Sequence, residues 1–143
     1  MSELLVPDPD EITGFFWEGC AAGELRVQQC GSCERLVFPP RPMCPWCRSV
    51  DRTHAVMSGR GTIWSYIVPH PPLLAAYAEM APYNVCAVAL EEDPVIRLIG
   101  NLVASPDGPI DEVDPETIEI GTPVVAVFQP LAEDITVPRW MVA

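Results

Sequence analysis

The spacing of apolar residues predicts one helix near the N-terminus and a series of short strands after it. Between residues 8 and 22, apolar side chains recur at every fourth position, as on one face of a helix: Ile12, Phe16 and Cys20. The segment Asp8-Pro9-Asp10-Glu11 is typical of a helix start, with an N-cap aspartate at Asp8, a proline in the first helical position and a capping-box glutamate. Gly23 then predicts where the helix stops.

Strands are predicted from residue 25 onward. Two short ones, 25–30 and 36–39, flank the first pair of cysteines. Five more follow Gly59, where runs of β-branched and aromatic residues alternate with turn residues: 62–68, 83–90, 95–103, 124–128 and 135–141. Five strands in about 80 residues, without two regular helices between them, predict a small closed barrel. The fold class is therefore mainly β.

Two details of the barrel segment bear on its surfaces. Alternation in residues 62–68 predicts two faces, with Ile63, Ser65 and Ile67 on one side and Trp64, Tyr66 and Val68 on the other. Residues 71–82 do not follow the strand pattern. Their apolar positions predict a short helix or a flexible lid between the first two barrel strands: Leu73, Leu74, Tyr77 and Met80.

Four of the six cysteines stand in two C-x-x-C pairs, Cys30 with Cys33 and Cys44 with Cys47, separated by residues 34–43. A two-residue spacer lets both sulfurs of a pair bind the same ion, at about 2.3 Å for zinc. Because four thiolates complete a tetrahedral site, no position stays open for a substrate. We therefore expect a structural Zn²⁺ ion.

Two other interpretations of these cysteines are open at this point. A C-x-x-C pair also occurs in thiol–disulfide enzymes, although those usually carry a single pair in a βαβ setting that this sequence does not show. Iron is the other metal that four cysteines hold. The sequence alone favours zinc over both.

Composition restricts the class of protein. At 143 residues, the chain suits one compact domain with a small appendage. No stretch approaches the roughly 18 consecutive apolar residues of a membrane helix. Residues 1–8 lack the basic region and the cleavage site of a secretory signal. Together with reduced cysteines, these features predict a cytoplasmic protein without membrane association.

The charge is strongly negative but unevenly distributed. Net charge is −12, there is no lysine, and six of the eight arginines lie in residues 26–60: Arg26, Arg35, Arg41, Arg48, Arg52 and Arg60. A general nucleic-acid binder needs the opposite balance, because phosphate contacts supply most of its affinity. The arginine-rich segment would hold a compact anion or an acidic partner, or it forms a solvated surface; both readings are open.

Several motifs occur in an order that resembles a known family. They are Phe16-Trp17-Glu18-Gly19, Gly23-Glu24-Leu25, Gln29-Cys30, the Pro-rich run 38–42 before Cys44-Pro45-x-Cys47, Gly59-Arg60-Gly61, and 120–128. This order resembles the zinc-ribbon OB-fold proteins known as domain of unknown function 35, and the resemblance covers most of the chain.

The resemblance implies three segments: an N-terminal helical segment (1–25), a rubredoxin-like zinc ribbon (26–57) and a five-stranded OB-fold barrel (58–143). It also implies a role in acyl-CoA processing, in a complex with a thiolase-like partner of the lipid-transfer-protein type, as in bacterial steroid side-chain aldolases. In those complexes the partner resembles the subunit that carries catalysis. A nucleic-acid-binding label for the family rests on the barrel fold alone.

Residues for a CoA site follow from its chemistry. CoA carries phosphates and an adenine face, which arginine forks and aromatic planes bind well. Arg60 lies between two glycines, and three further candidates lie on or near the adjacent strand: Trp64, Tyr66 and His70. The alternative is that Trp64 and Tyr66 pack in the barrel and that Arg60 braces the ribbon.

A partner interface is expected at two apolar surfaces. One is the aromatic run of the helix, Phe15, Phe16 and Trp17, which cannot all pack beneath a single helix. The other is the lid with Leu73, Leu74 and Tyr77. Alternatively, the rest of this small chain covers all of them.

Catalytic groups are few. His54 and His70 belong to no recognisable nucleophile–base motif, and the two cysteines outside the pairs, Cys20 and Cys86, are expected in the core. We therefore expect a non-catalytic accessory subunit of an acyl-CoA enzyme, with retro-aldol cleavage of a steroid-CoA side chain as the specific reaction.

Two rival functions remain. One is a stand-alone acyl-CoA-binding protein. The other is a single-stranded nucleic-acid-binding OB module that stacks bases on Trp64, Tyr66 and Tyr83.

Overall fold

The computed structural model describes residues 4–143, so the first three residues of the predicted 1–25 segment lie outside it. Between residues 4 and 143 it contains two α-helices, α1 and α2, and eight strands, β1 to β8. In chain order these are α1 Gly14–Ala21, β1 Leu25–Cys30, β2 Leu36–Val37, β3 Arg52–Met57, β4 Arg60–Ile67, α2 Ala75–Ala78, β5 Val85–Leu90, β6 Arg97–Gly100, β7 Pro123–Ala132 and β8 Ile135–Val142.

The strands form two antiparallel sheets. The first has the order β2-β1-β3, and β1 pairs with β3 along its whole length, from Leu25 opposite Met57 to Cys30 opposite Arg52. The second has the order β6-β5-β4-β7-β8. It curls until its edge strands meet at one parallel bridge, between Leu102 and Trp140. This half-barrel OB-fold confirms the predicted mainly β class.

One apolar core joins α1, the first sheet and the half-barrel. It contains Phe16 and Cys20 of the helix, Leu25, Val27 and Met57 of the first sheet, and barrel residues that include Ile63, Val88 and Trp140. Trp140 is the largest side chain in it, with 1% of its surface exposed. The ribbon strands β1 and β3 are therefore packed on the barrel and are not a separate appendage.

The predicted helix start at Asp8 is wrong, because α1 begins at Gly14. The carboxylate of Asp10 accepts hydrogen bonds from the backbone N–H groups of Ile12 and Thr13, both at 2.8 Å. These bonds close a turn over residues 11–13 ahead of the helix. Pro9 and Glu11 consequently lie outside it, without the expected roles of first helical residue and capping-box partner.

The predicted helix stop at Gly23 is confirmed. Gly23 has φ +75°, a left-handed conformation that glycine adopts without steric cost. The N–H of Glu24 then donates to the carbonyl of Gly19 at 2.8 Å, and the N–H of Gly23 to that of Cys20 at 3.1 Å. This pair of bonds is a Schellman motif, which turns the chain directly into β1.

The predicted alternation in residues 62–68 fails after Trp64. A register shift between Ile63 and Ser65 interrupts the pairing of β4 with β5. A bulge of this kind reverses the facing of the residues that follow it. Tyr66 therefore packs against the core, whereas Ile67 is 62% exposed.

Strand β3 was absent from the sequence prediction. It is an edge strand, and of its six residues Met57 alone is buried, so the segment shows no apolar alternation. The predicted short helix within 71–82 is present as α2. In residues 4–143, neither helix is long and apolar enough to cross a membrane.

A substitution in β4 tests the close packing of β4 on β5. A Cβ atom at Gly61 would lie 2.5 Å from the carbonyl oxygen of Ala89 and 2.7 Å from Cγ1 of Val88. Gly61→Ala is therefore expected to lower the free energy of unfolding by about 1–3 kcal/mol, since the strands must separate. Urea denaturation of the zinc-loaded protein measures this change.

Gly14→Ala is the matched control, because nothing lies within 4 Å of the added atom at the first residue of α1. It is expected to leave stability unchanged or raise it by up to about 1 kcal/mol through helix propensity. Equal stabilities of Gly61→Ala and the unmodified chain would contradict the packing.

Candidate functional site

Four cysteines form one cluster at the end of the first sheet. The Sγ atoms of Cys30, Cys33, Cys44 and Cys47 all lie within 4.8 Å of one another. Sγ of Cys30 is 3.5 Å from Sγ of Cys47, and Sγ of Cys33 is 3.7 Å from Sγ of Cys44. These are the separations expected when four sulfurs surround one ion at about 2.3 Å in a tetrahedron.

The two cysteine pairs lie in equivalent turns. The N–H of Glu34 donates to the carbonyl of Cys30, and the N–H of Arg48 donates to that of Cys44, at 3.1 and 3.0 Å. Glu34 and Arg48 both have positive φ, 65° and 63°. Each is the fourth residue after the first cysteine of its turn. The two turns thus aim both sulfurs of each pair at a common centre.

The protein environment prepares these sulfurs for a cation. Backbone N–H groups of Cys33 and Ser32 point at Sγ of Cys30, both at 3.4 Å, and lower the pKa of that thiol to about 6. Backbone hydrogen bonds, first that of Cys47, likewise lower the pKa of Cys44. At Cys33, the backbone hydrogen bond of Arg35 lowers the pKa, but burial and the neighbouring thiols outweigh it and raise the value to about 11. A cation at the centre favours the thiolate form of all four.

The predicted CoA residues lie in two separate places. Arg60 and Trp64 share the solvent face of β4, where Arg60 forms an ion pair with Glu91 at 3.0 Å. Tyr66 and His70 instead line a different depression, beside the 3-10 turn Pro115–Thr117. The structure therefore does not bring all four residues together.

Trp64 has a partner that the sequence does not indicate. The guanidinium of Arg97, on β6, lies 3.7 Å from the centre of the Trp64 ring. This contact crosses β5 and joins residues 33 positions apart, so no local motif signals it. The pair presents a cation and a half-exposed aromatic plane on the outer face of the barrel.

The predicted interface residues differ in exposure. Phe16 is buried in the core, and Phe15 stacks on the ring of His54 with ring centres 5.7 Å apart. Trp17 is half-buried against the edge of Phe16. Leu74, at the start of α2, is 62% exposed, whereas Leu73 and Tyr77 are half-buried.

Trp17 and Tyr77 meet at an apolar cleft of about 500 Å³, which we term the aromatic cleft. It lies between α1, the Pro-rich run 38–42 (the Pro-rich bridge of the ribbon), α2 and barrel strands β5, β6 and β8. Its apolar lining includes Phe16, Trp17, Phe38, Tyr77, Tyr83 and Leu98.

The remaining cysteines are unsuited to nucleophilic chemistry. Burial raises the pKa of Cys20 to about 12 and that of Cys86 to about 11, so both stay protonated at neutral pH. Tyr83, proposed as a base-stacking platform, is 7% exposed, so little of its ring is accessible to a nucleic-acid strand.

Comparison with known proteins identifies the ribbon and the barrel. A family model described as the rubredoxin-like zinc ribbon domain of ChsH2 matches residues 17–51. A second, described as the C-terminal OB-fold domain of ChsH2, matches residues 55–129, which is more than half of the chain. The chain belongs to the ChsH2-type DUF35 family.

Curated relatives of this DUF35 chain carry two kinds of name. It is 36% identical over 111 residues to a DUF35 domain-containing scaffold protein of Methanothermobacter thermautotrophicus, covering 77% of this chain and 75% of the relative. It is 38% identical over 132 residues to a probable enoyl-CoA hydratase alpha subunit of Thermomonospora curvata, covering 92% of this chain.

A third relative is the 3-oxo-4,17-pregnadiene-20-carboxyl-CoA hydratase alpha subunit of Mycobacterium tuberculosis, 33% identical over 137 residues and covering 96% of this chain. The chain spans 38% of the length of each hydratase subunit.

Two solved structures resemble the fold. A chain of the Ltp2-ChsH2(DUF35) aldolase superimposes with a TM-score of 0.80 at 34% identity, covering 95% of this chain and 98% of that one. A DUF35-family protein of unknown function from Sulfolobus solfataricus has a TM-score of 0.58 at 14% identity, covering 93% and 86%, and shows the fold alone.

The family's zinc ribbon agrees with the donor set of this chain. Four thiolates in two matched turns suit a tetrahedral Zn²⁺ ion and fill its coordination positions. The four cysteines predicted as ligands lie together in this cluster, and the ribbon family and the donor set support a structural zinc.

Loss of one ligand should release this ion. We expect the purified chain to contain one zinc per molecule and Cys44→Ser to contain much less, because three thiolates hold the ion less tightly. Metal analysis by atomic emission measures the ratio. Cys20→Ala is the control, since Cys20 lies in the core outside the cluster, and it is expected to retain its zinc. A Cys44→Ser protein with a full complement of zinc would contradict the site.

Proposed function

We propose that this DUF35 chain is a non-catalytic accessory subunit of an acyl-CoA-processing complex. Its partner would be a thiolase-like catalytic subunit of the lipid-transfer-protein type, and the reaction a retro-aldol cleavage of a steroid-CoA side chain. The observation that carries this proposal is the likeness to the chain of the Ltp2-ChsH2(DUF35) aldolase over almost the full length of both chains.

The chemistry of the described residues supports a non-catalytic role. Four thiolates leave the zinc no open position for a substrate or an activated water. Cys20 and Cys86 are buried thiols with raised pKa values. The ring of His54 stacks on that of Phe15, and its strand partner across β1 is Gln28, which is not a nucleophile. The partner would therefore supply the base and the donors that stabilise the enolate.

We place the CoA contact of this chain on the outer face of β4. The exposed Trp64 ring offers a plane for adenine, and Arg97 and Arg60 offer guanidinium groups for phosphates. The ion pair with Glu91 orients Arg60 but would compete with a phosphate for it. Tyr66 and His70 line a different depression. They would therefore contact a different part of the CoA molecule from the part that Trp64 and Arg60 bind.

The partner interface would include the exposed part of the lid and the rim of the aromatic cleft. Leu74 is a large apolar side chain that is 62% exposed. Trp17 and Tyr77 contribute half-exposed aromatic surface beside it, as interfaces commonly do. Phe16 is excluded as a direct contact, because the core buries it.

A second candidate is the accessory unit of an acyl-CoA hydratase. The names of the two hydratase alpha subunits favour it, although this chain corresponds to 38% of each. Both candidates place the chain beside another subunit's active site. Stand-alone acyl-CoA binding and nucleic-acid binding have less support, the latter because the net charge is −12 and Tyr83 is buried.

Reconstitution tests the accessory role. The chain alone, a thiolase-like protein of the same organism alone, and the two together are assayed for release of a shortened acyl-CoA from a steroid-CoA aldol substrate. We expect turnover from the pair and none from this chain alone, because residues 4–143 present no catalytic group suited to the reaction. Turnover by the chain alone, or hydration of an enoyl-CoA in place of aldol cleavage, would contradict the proposal.

A matched pair of variants tests the interface in the same mixture. Leu74→Glu is expected to weaken co-elution with the partner at least tenfold, since a buried carboxylate is costly. Val95→Glu, on the β5–β6 turn, changes a side chain that is 79% exposed and should leave the complex intact. Equal behaviour of the two variants would remove the lid from the interface.

A pair of tryptophans tests the CoA contact. Trp64→Ala is expected to weaken CoA binding by the complex roughly tenfold, because base stacking on an aromatic ring contributes about 1–3 kcal/mol. Isothermal titration measures the affinity. Trp46→Ala is the control: this ring is exposed to a similar degree, 52% against 51%, and also lies near an arginine, but in the ribbon. An unchanged affinity after Trp64→Ala would exclude this face.

A further inference from the structure

A half-buried arginine that forms no ion pair within residues 4–143 lines the aromatic cleft. This residue is Arg139, on β8. Its guanidinium donates to two neutral amide oxygens, from Nε to Oε1 of Gln129 at 3.1 Å and from Nη1 to Oδ1 of Asn101 at 2.7 Å. The ion pairs found in residues 4–143 involve other arginines, Arg26 and Arg60. Among the described residues, this cation therefore has no acidic side chain at ion-pair distance.

The two acceptors are themselves held in place. Nε2 of Gln129 donates to the carbonyl oxygens of Pro106 and Gly108, at 3.0 and 2.7 Å, which fixes its Oε1 toward Arg139. Nδ2 of Asn101 donates to the carbonyl of Asn84 at 2.5 Å. Amides therefore orient the guanidinium rigidly without neutralising it.

Donor capacity remains for a ligand. A guanidinium has five N–H donors, and the side-chain bonds of Arg139 use one on Nε and one on Nη1. In the described part of the chain, no fully buried side-chain nitrogen lacks a hydrogen-bond partner, so Nη2 of Arg139, which forms no such bond, is accessible to solvent. A carboxylate binds such a fork through two parallel hydrogen bonds.

The electrostatic environment favours an incoming anion. Removal from water penalises the charged guanidinium, and this burial lowers the pKa of Arg139. A carboxylate beside it would compensate for the lost hydration. The acidic groups that the structure describes supply no such partner within ion-pair distance.

The rest of the cleft is apolar. Its volume of about 500 Å³ falls within the range of small-molecule sites, and aromatic and aliphatic side chains line most of it. Trp17 and Phe38 form one wall, and Tyr83 and Leu98 belong to the barrel side. The cleft thus combines an apolar chamber with a single oriented cation.

We propose that the aromatic cleft binds a small apolar molecule that carries one carboxylate. The carboxylate pairs with Arg139, and the apolar body lies between Trp17 and Leu98. This site goes beyond the accessory role and does not depend on it, because every residue of the site belongs to this chain.

Titration of the zinc-loaded 143-residue chain with octanoate and with octanamide tests the proposal. The two probes share an apolar tail and differ in charge. Octanoate is expected to bind roughly ten- to a hundredfold more tightly, as charge-assisted hydrogen bonds contribute about 1.5–3 kcal/mol. Arg139→Gln should reduce octanoate affinity to the level of octanamide. Arg52→Gln, at an exposed position of the edge strand β3, should leave both affinities unchanged.

Two results would overturn the site: equal affinities for octanoate and octanamide, or octanoate binding that Arg139→Gln leaves intact. No saturable binding of octanoate would overturn it as well. Zinc content and thermal unfolding show whether Arg139→Gln folds. If it does not, the NMR resonance of the Arg139 Nε–H group in the unmodified chain tests the site instead. That resonance is expected to shift with octanoate and not with octanamide.

Discussion

The ribbon depends on its four zinc–sulfur bonds, because its own buried apolar cluster is small. The ribbon's own buried cluster consists of Cys30, Val37 and Cys44, and two of these three residues are metal ligands. Strand β2 contributes only two residues. Since so small an apolar cluster cannot fold a segment by itself, the free energy of metal binding must order residues 30–51. The metal site is therefore part of the fold and not of a reaction.

Strand β1 connects this metal site to the barrel. It begins with Leu25 and Val27 in the main core and ends at the ligand Cys30. All six residues of β1 pair with β3, and β3 leads into β4. The ribbon is thus anchored by zinc at one end and by the core at the other, which fixes the bridge residue Phe38 as a wall of the aromatic cleft. A rigid placement of this kind suits a subunit that shapes another protein's active site.

Local chemistry explains what the sequence could predict. Two C-x-x-C pairs specify a metal site because each pair is a single turn, and Gly23 specifies a helix end because its left-handed conformation is a one-residue property. The bulge after Ile63 and the turn closed by Asp10 depend on contacts that spacing does not encode. The pairing of Arg97 with Trp64 and the amide-bound Arg139 join strands distant in sequence, so they emerged only from the fold.

The central claim is that the zinc is structural and that the chemistry belongs to a partner. X-ray absorption at the zinc edge, recorded on the complex of this chain with the proposed thiolase-like partner, tests it most directly. The account predicts four sulfur ligands at about 2.3 Å, unchanged when an acyl-CoA substrate is added. An oxygen or nitrogen ligand that appears or changes with substrate would show an open, reactive metal and would contradict the account.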